Sequence, residues 1–468
     1  MEDQDICDIL IETYNVNKFD SAVKELKDAL YEEAKKCSET HEMQIYEKKG
    51  DTVPIKTNKR NILMKLIENH FESTIQQPMP KFIAGPTTLT VHKSPDEKRM
   101  IYIFGEWHTG IKDCTMFQDE KDEKWNSDNP DKMTIDHFLY ELMKTTPAYL
   151  DIYFEFLFSE IGYPEELHNG SLNSHLDNLF QKFKKCIHES RSKDDCSLAR
   201  VHYFDSRRKY NGNCIEGSNI VDKLVETVVY LQINYGEEPS TVIEAYKHLI
   251  KTDETIFEIL YALSTDDVEV FKNFWIKLLN DNEFNIKETK SGKYQDRGTI
   301  EEIEIMNTIK SFMETEIVRN AMMYRDNYIK LVNTIVSELN KAELTSIMAF
   351  YFAFEDLIKY IVKPTAIIPD VYLLARMFKD FDMTKMKTHA NDVTDQPNKA
   401  YNVIIYTGNN HANTYRRYLK DIAGFEEIAS TGKSEINEGE ERKYCIDMRR
   451  IPQPFFSTWT RTPTKEEE

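Results

Sequence analysis

Tyr102-Ile103-Phe104-Gly105-Glu106-Trp107-His108-Thr109-Gly110 reads as a short apolar strand that breaks at a glycine and releases a carboxylate and an imidazole two residues apart. Much later in the chain the same grammar returns in Val403-Ile404-Ile405-Tyr406-Thr407-Gly408-Asn409-Asn410-His411. Twice, a strand with the composition of a buried one runs into Gly-x-x-His. Open α/β sheets place their chemistry at such strand ends, where a turn lets a polar side chain stand clear of the sheet. If the two strands are parallel and adjacent, both turns lie on one sheet edge and their histidines converge.

Working outward, Thr88-Leu89-Thr90-Val91 precedes the first strand across a charged turn. Leu150-Asp151-Ile152-Tyr153-Phe154-Glu155-Phe156 and Val201-His202-Tyr203-Phe204 follow it, with helical periodicity over 134–145 and 174–188 between them. This β-α-β-α-β alternation predicts an α/β fold: a central, mostly parallel sheet flanked by helices. Residues 218 to about 380 read almost wholly as helix, with Pro364 and Pro369 closing the run, before the sheet resumes at Tyr401. The expected organisation is a helical N-terminal region (1–85), a first part of the sheet domain (86–215), a large all-helical insertion (216–385), a last part of the sheet domain (386–460) and a tail (461–468). Pro78, Pro80 and Gly85-Pro86 mark the expected linker.

With 468 residues, 40% of them hydrophobic, the chain can bury a sizeable core. Lys and Arg number 60 against 80 Asp and Glu, a net charge of −20. That balance argues against nucleic-acid binding, which needs a basic face, and against adhesion to anionic membrane. No apolar run approaches the ~20 residues of a membrane span, and the acidic Met1-Glu2-Asp3-Gln4-Asp5 lacks a secretory pattern, so a cytoplasmic protein is expected. The seven cysteines include no C-x-x-C pair; Cys186 and Cys196 are close enough to bridge, but reduced thiols are expected in that setting. The wealth of Lys, Asn, Ile and Tyr resembles that of large DNA virus proteins, which would place the chain in host cytoplasm or virion.

Glu106 and His108 can face one cavity if the strand splays at its end; the alternative is a capped turn with a hydrogen-bonded histidine. His411 gains weight from the match between the two turns. Glu155 lies inside an aromatic strand, where an unpaired carboxylate would cost several kcal/mol, so it needs a metal, an arginine or a histidine unless it faces solvent. Asp205, Arg207 and Arg208 close another strand at the same edge, where an arginine could pair with Glu155 or hold an oxyanion.

Taken together these motifs resemble the superfamily that includes erythromycin esterase, the ChaN-type haem-binding proteins, and the TraB/PrgY and TIKI proteins. Gly105-Glu106-Trp107-His108 is similar to the first family motif, Glu155 to the next-strand glutamate and Gly408-Asn409-Asn410-His411 to the second motif. Tyr324-Arg325-Asp326-Asn327-Tyr328-Ile329 resembles the helical Arg-Asp motif between them, although Arg319-Asn320 is an alternative match. The resemblance implies a hydrolase acting on a peptide or small ester. In its TIKI-like form, His108, Glu155 and His411 would hold a divalent cation (Mn, Zn or Fe), with Glu106 as base and Arg325 on the oxyanion. In its esterase-like form, His108 steered by Glu106 would activate water without a metal. The same resemblance admits a haem- or iron-binding module. A third reading is an interaction protein whose helical regions dock a protein partner and whose site is a relic.

Overall fold

The computed structural model describes residues 77–107, 131–157 except 147, 175–188, 199–205, 208–210, 213–215, 219–233, 254–283, 300–340, 347–381, 397–433 and 444–456. The expected N-terminal helices, His108, the polar loop after it, Arg207 and the tail lie outside them.

The strands are β1 (Phe82–Ala84), β2 (Thr88–Lys93), β3 (Met100–Glu106), β4 (Lys132–Thr134), β5 (Leu150–Leu157), β6 (Ala199–Asp205), β7 (Arg208–Tyr210), β8 (Asn213–Ile215), β9 (Asn402–Gly408), β10 (Glu426–Gly432) and β11 (Cys445–Asp447). The helices are α1 (Ile135–Thr145), α2 (His175–His188), α3 (Asn219–Ile233), α4 (Glu254–Ser264), α5 (Val268–Glu283), α6 (Ile300–Met322), α7 (Arg325–Asn340), α8 (Ile347–Thr365), α9 (Ile368–Phe378) and α10 (Asn409–Arg417). A single π-helical turn, Tyr418–Ile422, extends α10.

Six strands form the central sheet in the order β10-β2-β3-β9-β5-β6. β3, β9, β5 and β6 run parallel, while β2 is antiparallel to both β3 and β10. The fold is thus the expected α/β arrangement, a mostly parallel sheet flanked by helices. β9, contributed late in the chain, inserts between β3 and β5. All seven of its residues are buried, as an apolar run covered on both sheet faces should be. In register, Glu106 stands beside Gly408, and Phe154 beside Tyr406.

Strand alternation sends side chains to two cores. Ile101, Ile103, Tyr153, Val403 and Ile405 pack on one face with residues of α3 to α10, including Trp275 and Tyr328. Tyr102, Phe104, Ile152, Phe154, Ile404 and Tyr406 pack on the other with α1, α2 and the C-terminal Phe455 and Phe456. Within the helical stretch, the break allowed in the long 300–339 run falls at Met323-Tyr324, between α6 and α7. Pro369 lies in the first turn of α9, where a missing N–H does least harm, and Pro364 lies one residue from the end of α8.

Three expectations are corrected. Phe82–Ala84, expected within a linker, form a buried strand that pairs with β4 and β11. His411, expected in a turn after the second strand, lies in the first turn of a helix that begins at Asn409. Cys186 and Cys445 are each disulfide-bonded, where reduced thiols were expected.

Candidate functional site

At the carboxyl end of β9 the chain passes from strand to helix within one residue, because Gly408 keeps an extended backbone (φ −61°, ψ 149°) and serves as N-cap of α10. It offers no capping side chain of its own, and Glu155 supplies the acceptor. Its Oε2 accepts the Gly408 N–H at 2.7 Å and the Thr407 hydroxyl at 2.7 Å. A carboxylate here also meets the positive end of the helix. Glu155 is placed for this by a register shift in the β5–β6 ladder after Phe154.

The other oxygen of Glu155, Oε1, lies 3.2 Å from His411 Nε2. On the far side of the ring, Nδ1 lies 2.7 Å from Asp370 Oδ1, which also accepts the Tyr415 hydroxyl at 2.5 Å. Asp370 comes from the first turn of α9, so three elements that are distant in sequence meet on one imidazole. Glu155, Asp370 and His411 are all more than nine-tenths buried. Burial alone would drive the imidazole neutral, but the flanking charges of Asp370 and Glu155 outweigh it and raise its pKa to about 10. Burial raises Asp370 above the usual carboxylate range, with the charge of His411 and its hydrogen bond pulling the other way. The group as it stands is a firmly held proton between two carboxylates.

Glu106 is elsewhere. It shares a face with Phe104 and Tyr406, opposite to the face that carries Tyr153 and Glu155. There it accepts a short hydrogen bond from the Tyr406 hydroxyl, whose pKa is driven well above 10 by burial and by the Glu106 charge. The sheet itself therefore stands between the Glu106 side chain and the Glu155–His411 pair. At the strand end Glu106 and Gly408 are neighbours in the β3–β9 ladder.

Arg325 sits at the start of α7 and donates to the carbonyls of Thr265 (2.9 Å) and Asp266 (3.2 Å) beyond the end of α4, so its hydrogen bonds serve helix packing. Arg319, the alternative match, pairs with Glu316 one turn away on α6. Asp205 is buried at the end of β6, beside Leu157. Of the three candidate metal ligands, Glu155 and His411 meet, while His108 and the candidate Arg207 lie outside the described residues. Among the described residues no group of three or more His, Cys, Asp or Glu side chains is placed to hold a metal ion. The Nε2–Oε1 pair would present two donors to a cation, with Asp370 behind Nδ1 fixing the tautomer. A cation there would take the place of the Nε2 proton.

Sequence reading missed Asp370. Its signal is a lone acid in Ile367-Ile368-Pro369-Asp370-Val371, an otherwise apolar helix start, which reads equally well as an ordinary first-turn carboxylate. The chain has no significant match to any family model, curated protein or solved structure. The fold and the site thus define an α/β protein with a buried Asp–His–Glu cluster at the carboxyl ends of its central strands, and the family resemblance stands on the short motifs alone.

Proposed function

We propose that this chain is a hydrolase of ester or peptide bonds and that His411 is its acid–base group. The observation that carries the reading is the imidazole held between Asp370 and Glu155 at the carboxyl ends of parallel strands. Asp370 orients the ring and stabilises its charge. Glu155 accepts a proton from the attacking water while the imidazolium delivers one to the leaving group, so one water is consumed and the relay regains its proton count. Tyr415 and the Gly408 N–H hold the two carboxylates in place. The motif resemblance supports this reading, and a divalent cation, if one is used, would take Glu155 and His411 as donors and polarise the carbonyl.

The test is a panel of p-nitrophenyl esters and fluorogenic peptides assayed with the full chain, before and after dialysis against a chelator. His411→Gln and Glu155→Gln are expected to lower kcat by about 10²–10⁴ while keeping the fold. Activity that survives in His411→Gln, with only the melting temperature reduced, would make the relay a structural ion-pair network. Activity lost to the chelator and restored by Mn, Zn or Fe would assign the cation-dependent form.

A further inference from the structure

On the α1/α2 side of the sheet, His175 is buried, 4% exposed, and neither ring nitrogen has a hydrogen-bond partner. A buried imidazole ordinarily satisfies at least one, and two orphaned nitrogens are a standing penalty. The ring is held over Gly85, which has a positive φ of 118° and no room for a side chain: a Cβ there would lie 3.0 Å from the imidazole Cγ and 2.9 Å from Ile135 Cγ2. Asp136, one residue on, is 7% exposed. Its Oδ2 lies 3.5 Å from Lys182 Nζ, but its Oδ1 has no partner. Thr87 N donates to Gly105 O at 2.7 Å, which ties the Gly85 turn to the end of β3, where Glu106 stands. The charges of Glu106 and Asp136 both act on the His175 ring, yet burial prevails and lowers its pKa, so the ring stays neutral, with one nitrogen an acceptor and the other a donor.

We propose that His175, Asp136 and Glu106 form a subsite for an ammonium or guanidinium group of the substrate. Two carboxylates and a neutral imidazole, with acceptors left open on His175 and Asp136, ask for a multi-donor cation rather than an anion or an apolar group. The site lies one residue from the partly exposed Trp107, at the strand end shared with Gly408. A net charge of −20 draws cations toward the chain. That the cation belongs to a substrate rests on the hydrolase reading; that the subsite binds a cation does not.

The experiment is therefore one of binding. The melting temperature of the full chain is followed with n-butylammonium, n-butanol or butyrate, in the natural sequence and in His175→Phe and Asp136→Asn. Only the cation is expected to raise it, by at least about 3 °C at saturation, with the rise lost in both variants. His175→Phe without ligand is expected to melt above the natural protein, because it removes an unsatisfied buried group. No response to n-butylammonium, or an equal response in Asp136→Asn, overturns the subsite and leaves a bound water bridging the two orphans. An Asp136-dependent rise with Mn or Zn but none with n-butylammonium overturns the organic cation in favour of a metal. Hydrolysis measured in parallel separates the two ideas: turnover without cation binding removes only the substrate class, and binding without turnover removes only the hydrolase.

Discussion

Gly105 shows how narrowly a single residue sets the strand end. A Cβ built on it would lie 2.2 Å from Asn409 Oδ1 and 2.5 Å from Thr88 Oγ1. The space is filled because Asn409, the first residue of α10, reaches across β3 to donate to Thr87 Oγ1 (2.8 Å) and accept from Thr88 Oγ1 (2.9 Å). The glycine of the first Gly-x-x-His thus exists to admit a side chain of the second. Gly105→Ala is expected to destabilise by about 1–3 kcal/mol through overpacking. In urea unfolding, the Gly105→Ala/Asn409→Ala double variant is expected to fall short of the sum of the single effects, since each change disrupts the same contact. Strict additivity would show that the asparagine relaxes away freely.

At the scale of elements, β9 must be held between β3 and β5 although it enters from a remote part of the chain. The anchor is a buried ion pair at the opposite end of the strands from His411. Asp151 accepts Arg200 Nε at 2.7 Å and Nη2 at 2.8 Å and meets His202 Nε2 at 3.0 Å, while Arg200 Nη1 donates to Pro397 O, just ahead of β9, at 2.8 Å. Asp151→Ala leaves the guanidinium buried and uncompensated and is expected to lower stability by about 3–5 kcal/mol, read from the urea midpoint. An effect below ~1 kcal/mol would mean that water reaches the arginine.

The same scale explains what could be read from sequence. Val403-Ile404-Ile405-Tyr406 and Ile101-Tyr102-Ile103-Phe104 announce central strands because both faces are covered. β10 could not be read, since Glu426–Gly432 is largely exposed and carries no apolar run. Glu155 was legible as a carboxylate in need of a partner. Its separation from Glu106 was not, because strand alternation gives the face of each residue only relative to its own strand. The face shared between strands follows from the register of β3, β9 and β5, which long-range pairing sets. Asp370 was hidden for a similar reason: nothing local shows that the first turn of α9 packs on α10.

For the whole molecule, the buried histidines held neutral, His92, His202 and His175, set the acid limit of stability, whereas His411, held charged, acts in the opposite sense. Burial and, secondarily, the Arg416 charge lower His92 to about 4. Burial likewise lowers His202 to about 4, with Arg376 and Arg200 acting in the same sense against the hydrogen bond and charge of Asp151. Both rings are neutral in the fold, whereas in the unfolded chain each takes up a proton near its ordinary value of 6.5. As pH falls from 6.5 toward 4 the unfolded state therefore gains protons that the folded state refuses, and stability declines by up to about 1.4 kcal/mol per unit for each ring. His175, also lowered by burial, adds in the same direction. Asp151, held below its usual 3.8 by Arg200 and His202 against its burial, keeps its contribution through this window and loses it only at lower pH. Urea midpoints at pH 7, 6 and 5 are expected to decline progressively. His202→Gln, which can keep a hydrogen bond to Asp151 but cannot titrate, is expected to flatten that decline by about one proton's worth. A slope unchanged in His202→Gln would show that His202 takes up its proton in the folded state as readily as in the unfolded one. Its burial, with the Arg376 and Arg200 charges acting in the same sense, argues that it does not.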